Sequence, residues 1–251
     1  MVDYKAEEFT LLAYEELLKL AKSRYAFRSY TDYSFHENFV LWRHDVDFSL
    51  EQALILAKIE HKHHVSSIYF LHFHNEFYNL FDHNSLSIVK KILELGHSIG
   101  LHFEIGYYNL KSSKDLIKWL QFEKSILETI FSTPVAVFSF HNTNELSNTF
   151  EEHTYAEMIN TYSRVFKTEV TYCSDSNGYW RYKKLYDVLN DDTVKCLQVL
   201  THPDWWSVDE MMPRHKILGY AEKRMMNMMS HYDQILAEAG RLNLGLEVKS
   251  K

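Results

Sequence analysis

The sequence predicts a single α/β domain in which helices pack around a parallel sheet or closed barrel. Three observations support this prediction. Strand-like and helix-like segments alternate along the 251 residues at the spacing of βα units. Polar clusters follow five of the predicted strands, at the edge where functional residues gather in parallel α/β folds. The chain has only three prolines and no Ser/Gly-rich or Pro-rich run, so no linker divides it.

The first half of the chain carries the stronger secondary-structure signals. Apolar residues at helical spacing predict an N-terminal helix over 5–24. The apolar run 39–43 predicts a strand that leads into a His-Asp-Val-Asp sequence. The segment 49–52 has the form of a capping box and opens a helix that extends to about residue 61. The β-branched and aromatic residues of 65–73 predict a second strand.

Small residues and helix caps delimit the following elements. A helix over 84–95 ends at Gly96, which stands where a C-terminal glycine cap belongs, and a short strand over 97–103 follows. A helix from 112 to about 131 precedes a strand over 135–141. Weaker patterns predict the rest: a helix near 150–163, strands near 169–173 and 194–201, and a C-terminal helix over 208–239.

The composition argues against several functional classes. The net charge of −7 does not provide the basic surface that nucleic-acid binding needs. No run approaches the roughly 18 uninterrupted apolar residues of a membrane span, and the acidic N-terminal residues are unlike a signal peptide. Cys173 and Cys196 lack the spacing of a disulfide framework or a Cys-type zinc site. We therefore expect a cytoplasmic protein that has no nucleic-acid partner and no membrane span.

Two aspartates at the end of the first long predicted strand form the strongest chemical feature. In an extended backbone, residues two apart point to the same side, so Asp45 and Asp47 are expected to project together. Neighbouring carboxylates repel each other unless a cation or a shared proton compensates. The pair therefore predicts a metal site, and the alternative is that Asp47 caps the helix that begins near Ser49.

Histidines at the ends of neighbouring predicted strands add candidate ligands. His102 lies near the end of its strand, and imidazole together with carboxylate suits Zn²⁺ or a similar ion. His97 begins the same strand, at the opposite end of the fold, and is expected to be structural. His72 and His74 end the second predicted strand and are expected to face the same side as the aspartates.

The order of these motifs resembles a known family. An apolar strand ending in Asp-x-Asp, followed by helix, strand, helix and a Gly-His-Ser-Ile-Gly-Leu-His segment, looks like the polysaccharide deacetylase superfamily (NodB homology, carbohydrate esterase family 4). The resemblance covers roughly residues 38–205 and implies a distorted (β/α)7 barrel, with the N- and C-terminal helices as additions. By position, Asp45 matches the family's general base, and Asp47 and His102 match metal ligands.

The sequence departs from the family pattern in three places. In the second motif, Gly106 stands where the family has a second ligand histidine. In the first motif, the two aspartates are separated by a valine and followed by Phe48 instead of a glycine. The segment 139–142 (Ser-Phe-His-Asn) replaces an Arg-Pro motif. We therefore expect His141 to supply the third metal ligand from the next strand end, with Glu104 as a second candidate.

Two later segments resemble the remaining motifs more loosely. A Cys-Ser-Asp-Ser-Asn-Gly segment falls where the family shapes the pocket and orients the base or acid, although the same residues are good turn formers. His202 ends the last strand and matches the general acid. Trp205 and Trp206 form either a wall that stacks on a sugar or a packed lid. The candidates for the substrate pocket are Glu104, Asp175, Trp180, Trp205 and Trp206.

The resemblance implies a metal-dependent hydrolase that removes an acyl group from an N-acylated sugar in surface-glycan or polysaccharide biosynthesis, with Zn²⁺ as the expected ion. One alternative is a catalytically silent homologue that still binds a metal ion. A carbohydrate-binding protein without metal and an amidohydrolase with a non-sugar substrate are two others. The sugar, the acyl group and the oligomeric state are left open by the sequence.

Overall fold

A computed structural model describes residues 4–245, and within them nine strands form one sheet. The strands are β1 (Ala26–Arg28), β2 (Phe39–Val46), β3 (Ile68–Leu71), β4 (Ser98–Glu104), β5 (Val137–His141), β6 (Thr154–Tyr155), β7 (Met158–Asn160), β8 (Thr171–Ser174) and β9 (Cys196–Thr201).

Seven of these strands run parallel in the order β8–β9–β2–β3–β4–β5–β7. Strand β1 runs parallel to the beginning of β2, and β6 forms an antiparallel hairpin with β7. Over residues 4–245, β7 and β8 do not pair with each other, so the barrel is open on that side. The architecture confirms the predicted α/β class and is that of a distorted (β/α)7 barrel, in which all seven parallel strands end at the same edge.

Helices cover the outside of the sheet. They are α1 (Leu11–Arg24), α2 (Leu50–Lys62), α3 (His83–Glu94), α4 (Ser113–Phe131), α5 (Arg164–Glu169), α6 (Leu185–Asn190) and α7 (Pro213–Glu238). The predicted caps are present: the Ser49 hydroxyl accepts a hydrogen bond from the Gln52 backbone N–H, and Gly96 has a φ of +88° after α3. Among the described residues, no helix is long and apolar enough to cross a membrane.

Strand β2 is buried along its whole length and organises the core. Phe39 and Leu41 pack into a cluster inside the barrel, whereas Val40 and Trp42 pack outside it, in the cluster that contains residues of α1. Because side chains alternate along a strand, the inward face continues towards the end of β2 as Arg43 and Asp45. The inward face therefore changes from apolar to charged where the strand reaches the carboxyl edge.

The predicted helix near 150–163 is wrong. This segment contains the β6–β7 hairpin, and α5 begins only at Arg164. Ala156 and Glu157 link the two short strands with positive φ angles of 52° and 60°, a conformation that no glycine announces in the sequence. Tyr155 and Met158, one in each of the two short strands, are buried in the core.

Other boundaries differ by a few residues. The short elements β1 and α6 lie in segments for which the sequence predicted no regular structure. The C-terminal helix begins at Pro213 rather than at 208, because proline favours the first turn of a helix. The predicted second strand, 65–73, is reduced to the four residues of β3.

Candidate metal centre

An open cavity of about 790 Å³ lies at the carboxyl edge of the parallel strands. Acidic and imidazole side chains from β2, β4 and β5, and from the segments that follow β2, β3 and β9, converge on it. Its polar lining includes Asp45, Asp47, His72, His102, His141 and His202. The structure thus brings together the residues that the sequence proposed as base, acid and metal ligands.

Asp45 is held by a buried arginine on the same strand. Arg43 Nη2 donates to Asp45 Oδ2 at 2.7 Å, and Arg43 Nη1 donates to the Thr161 hydroxyl at 2.6 Å. Burial alone would raise the pKa of Asp45, but the charges of Arg43 and the neighbouring histidines lower it below its usual value. Asp45 Oδ1 has no hydrogen-bond partner among the described residues. Asp45 is therefore an ionised carboxylate with one oxygen free to accept a proton.

Asp47 lies in the turn between β2 and α2, and the buried carboxylate of Asp204 holds this turn in place. Asp204 Oδ2 accepts the backbone N–H groups of Asp47 and Phe48, and Asp204 Oδ1 accepts that of Ser49 at 2.6 Å. Asp47 Oδ1 is buried without a hydrogen-bond partner in the described part of the chain. It lies 3.4 Å from His102 Nε2. A bound cation would satisfy this oxygen.

The two imidazoles of the centre are each fixed by a residue of the adjacent strand. His102 Nδ1 forms a 2.6 Å hydrogen bond with Ser139 Oγ, which turns Nε2 towards the aspartates. His141 Nδ1 lies 2.5 Å from Glu104 Oε2. In both pairs the residues are register partners of β4 and β5. A carboxylate or hydroxyl on one ring nitrogen leaves the other nitrogen available as a ligand.

Asp47, His102 and His141 together fit a divalent metal ion. Their ligand atoms all lie within 4.8 Å of one another. One carboxylate oxygen and two imidazole nitrogens are a common protein ligand set for Zn²⁺ and similar ions. The unpartnered Asp47 Oδ1 and the orientation of the His102 ring add to the fit.

A second histidine–carboxylate pair, His202 and Asp175, lies near the other oxygen of Asp47. His202 Nδ1 donates to Asp175 Oδ1 at 2.7 Å, and His202 Nε2 lies 3.7 Å from Asp47 Oδ2. Burial would lower the pKa of His202, but Asp175, Asp47 and Asp45 raise it to about 10. The Trp206 indole N–H donates to the other oxygen of Asp175. His202 is thus a protonated imidazole that points into the cavity.

The structure divides the predicted pocket residues into two groups. Glu104 and Trp205 line the cavity. Trp206 is fully buried and packs against Tyr14 and Phe9, so it belongs to the core rather than to a sugar-stacking wall. Trp180 packs against the same aromatic cluster, and Asp175 is fully buried beneath His202.

Three residues near the site were not singled out from the sequence. Arg43, Ser139 and Asp204 each contact a predicted site residue. The sequence did contain a signal for Arg43. It is a charged residue in an apolar strand, two positions before Asp45, so the two side chains lie on the same face of the strand. No local pattern indicated Ser139 or Asp204. The pairing of β4 with β5 brings Ser139 to His102, and the pairing of β9 with β2 brings Asp204 to the Asp47 turn.

No protein-family profile and no curated protein matches the chain. Among solved structures, 16 chains match. A family 4 carbohydrate esterase pseudoenzyme from Bacillus anthracis is 16% identical, with a TM-score of 0.43, over 76% of this chain and 62% of that one. A peptidoglycan N-acetylglucosamine deacetylase is 17% identical, with a TM-score of 0.43, over 80% and 89%. A chitin deacetylase from Colletotrichum lindemuthianum is 14% identical, with a TM-score of 0.43, over 75% and 83%.

The matched regions differ in extent. This chain spans less than two thirds of the length of the pseudoenzyme chains. One of these three proteins is named as a family 4 carbohydrate esterase pseudoenzyme, and the other two are named as polysaccharide deacetylases. These are the names of the family that the order of the sequence motifs resembles. With TM-scores below 0.5, these matches by themselves assign neither a reaction nor a substrate.

Proposed function

We propose that this chain is a divergent polysaccharide deacetylase-like protein and a metal-dependent hydrolase that removes the acyl group of an N-acylated sugar. One observation carries the proposal. A metal-ligand triad, an ionised carboxylate and a protonated imidazole converge on one cavity at the carboxyl edge of the barrel. Metal-dependent hydrolysis of an amide uses all three, because it requires an activated water, a proton acceptor and a proton donor for the leaving amine.

The triad residues Asp47, His102 and His141 would hold the ion. A divalent ion bound there supplies Lewis acidity towards the acyl carbonyl and a water of lowered pKa. Ser139 and Glu104 keep the two imidazoles oriented, and Asp204 fixes the turn that carries Asp47. These contacts reduce the reorganisation that metal binding would otherwise require.

Asp45 is the proposed general base. Its free Oδ1 accepts the proton of the attacking water, while the contact of Oδ2 with Arg43 keeps the carboxylate in place and ionised. His102 Nε2 lies 3.6 Å from Asp45 Oδ2, so the base stands next to the ligand triad.

His202 is the proposed general acid. An amine leaves easily only after its nitrogen is protonated, and His202 Nε2 lies on the cavity side of the ring, across from the Asp175 contact. Asp175 stabilises the protonated ring before the transfer and holds its orientation afterwards. A bound cation near Asp47 would bring the pKa of His202 down towards neutrality, where an acid of this kind transfers its proton efficiently.

The cavity suits a glycan rather than a small rigid ligand. It is open, and aromatic residues stand around the charged centre as flat surfaces for a sugar ring. Those residues include Phe48, Phe77, Tyr162 and Trp205. We propose an N-acetyl or N-formyl amino sugar, free or within a surface-glycan precursor, as the substrate.

The test is acyl release after defined metal loading. Protein stripped with chelator and reloaded with Zn²⁺ or Co²⁺ is incubated with N-acetyl and N-formyl amino sugars and their short oligomers. Release of acetate or formate that disappears with chelator and returns with the ion is expected. An absence of release from every substrate, with the ion bound, would contradict the proposed reaction.

A catalytically silent metal-binding homologue is the second candidate. Gly106 favours it, because the family pattern has a ligand histidine at this position and the third ligand must then come from another strand. The same assay separates the two, since this candidate binds the ion but releases nothing. A carbohydrate-binding protein without metal would instead show sugar affinity that chelator leaves unchanged.

A further inference from the structure

His72 is a buried histidine that the proposed reaction does not use. It follows β3, the strand between β2 and β4, and its side chain is 6% exposed. His72 Nε2 lines the cavity wall without a hydrogen-bond partner in the described residues. A buried ring nitrogen that lacks a hydrogen-bond partner is available as a metal ligand.

Glu104 faces His72 from the neighbouring strand. Glu104 Oε2 lies 3.9 Å from His72 Nε2 and 2.5 Å from His141 Nδ1. The other oxygen, Oε1, accepts the backbone N–H of Gly106 at 3.0 Å. The turn at Gly106 therefore aims the Glu104 carboxylate at the space between the two imidazoles.

His72, Glu104 and His141 repeat the composition of the first triad. Their ligand atoms also lie within 4.8 Å of one another, and they again offer one carboxylate oxygen and two imidazole nitrogens. The two triads share His141. We infer that His72, Glu104 and His141 form a second position for a divalent cation, occupied in exchange with the position that uses Asp47. This inference rests on the proposed metal site.

The shared histidine limits the protein to one ion at a time. A neutral imidazole has one nitrogen lone pair to donate, so His141 completes one triad or the other. The second position is unproductive, because Asp45 approaches His102 and His202 approaches Asp47, and these two ligands belong only to the first triad. Ion bound at His72 and Glu104 is therefore held without a base and an acid beside it.

The test uses Co²⁺ and its visible absorption spectrum, with binding measured by equilibrium dialysis. Wild type is expected to bind one Co²⁺. Asp47→Ala is expected to bind one Co²⁺ less tightly, with a changed spectrum, since only the second triad remains complete. Asp47→Ala/His72→Ala and Asp47→Ala/Glu104→Gln are expected to lose the ion. Asp47→Ala/His231→Ala removes an exposed histidine of α7 instead and should keep it.

Three results would overturn the inference: two ions in wild type, no ion in folded Asp47→Ala, or retention by either of the first two double variants. Circular dichroism checks that each variant is folded. The proposed function fails separately, if wild type holds its Co²⁺ but hydrolyses no N-acyl sugar. That result would leave both cation positions standing.

Discussion

His202 Nδ1 lies 2.7 Å from Asp175 Oδ1, and the second oxygen of that carboxylate accepts the indole N–H of Trp206. Asp175 also accepts the backbone N–H of His202. The carboxylate is fully buried, so it acts on the cavity only through the imidazole. Three groups contact this carboxylate and fix its position, and through it the orientation of the His202 ring.

Asp175→Asn is expected to reduce turnover by roughly 10²–10⁴-fold, the usual contribution of a general acid. The amide keeps the shape but loses the charge that stabilises the protonated ring. Steady-state kinetics and metal titration check this, and the metal affinity should change little. Asp187→Asn, on the exposed face of α6, is the matched control. Equal turnover in the two variants would remove His202 from the reaction.

His141→Ala is expected to weaken metal binding more than Glu104→Gln does. The alanine removes a ligand common to both triads, whereas the glutamine leaves the first triad complete and changes only the group that orients His141 there, for which losses of about 10–100-fold are typical. Competition with a chromophoric chelator measures both affinities, and His153→Ala, an exposed histidine, is the control. A larger loss in Glu104→Gln would identify Glu104 as the ligand instead.

Glu60 is expected to make folding stability dependent on pH. Its buried carboxylate accepts hydrogen bonds from Tyr14, Ser67 and Tyr69 and contacts His44. Burial opposes the charge, but His44 and the other partners lower the pKa of Glu60 to about 2. The unfolded state therefore takes up a proton first, so this stabilisation is full above about pH 4.5 and is lost towards pH 2.

Glu60→Gln mimics the protonated side chain and isolates this contribution. Urea unfolding at several pH values should show the variant less stable than wild type near pH 6, by up to about 3 kcal/mol. The difference should shrink as the pH falls below 4.5. A constant difference between the two proteins at pH 6 and pH 3 would show that Glu60 stabilises the fold through packing alone.

The fold class and the positions of Asp45, Asp47 and His102 could be predicted because both depend on local sequence patterns. Alternating βα segments predict a parallel arrangement, and parallel strands end at one edge. Asp45, Asp47 and His102 each lie at a strand end, so their convergence followed from the order of elements alone. The predictions for His141 and His202 used the same rule, with the family resemblance to assign roles.

The remaining features depend on contacts between distant segments. Asp204 holds the Asp47 turn across more than 150 residues of sequence, and Ser139 meets His102 only through the β4–β5 register. Trp206 follows a cavity residue directly but points into the core, as α1 supplies the aromatic neighbours that bury it. The hairpin between β6 and β7 requires positive φ angles at Ala156 and Glu157. These residue types rarely adopt such angles, so no local sequence pattern predicts the turn.

The rate of acyl release by metal-loaded Asp45→Asn, compared with metal-loaded wild type, tests the central claim most directly. Asn keeps the size of the side chain but cannot accept the proton of the attacking water. We predict that the variant binds the ion with unchanged stoichiometry and releases acetate or formate roughly 10²–10⁴-fold more slowly. Release at the wild-type rate, with the ion bound, would contradict the account, because the proton acceptor would then lie elsewhere.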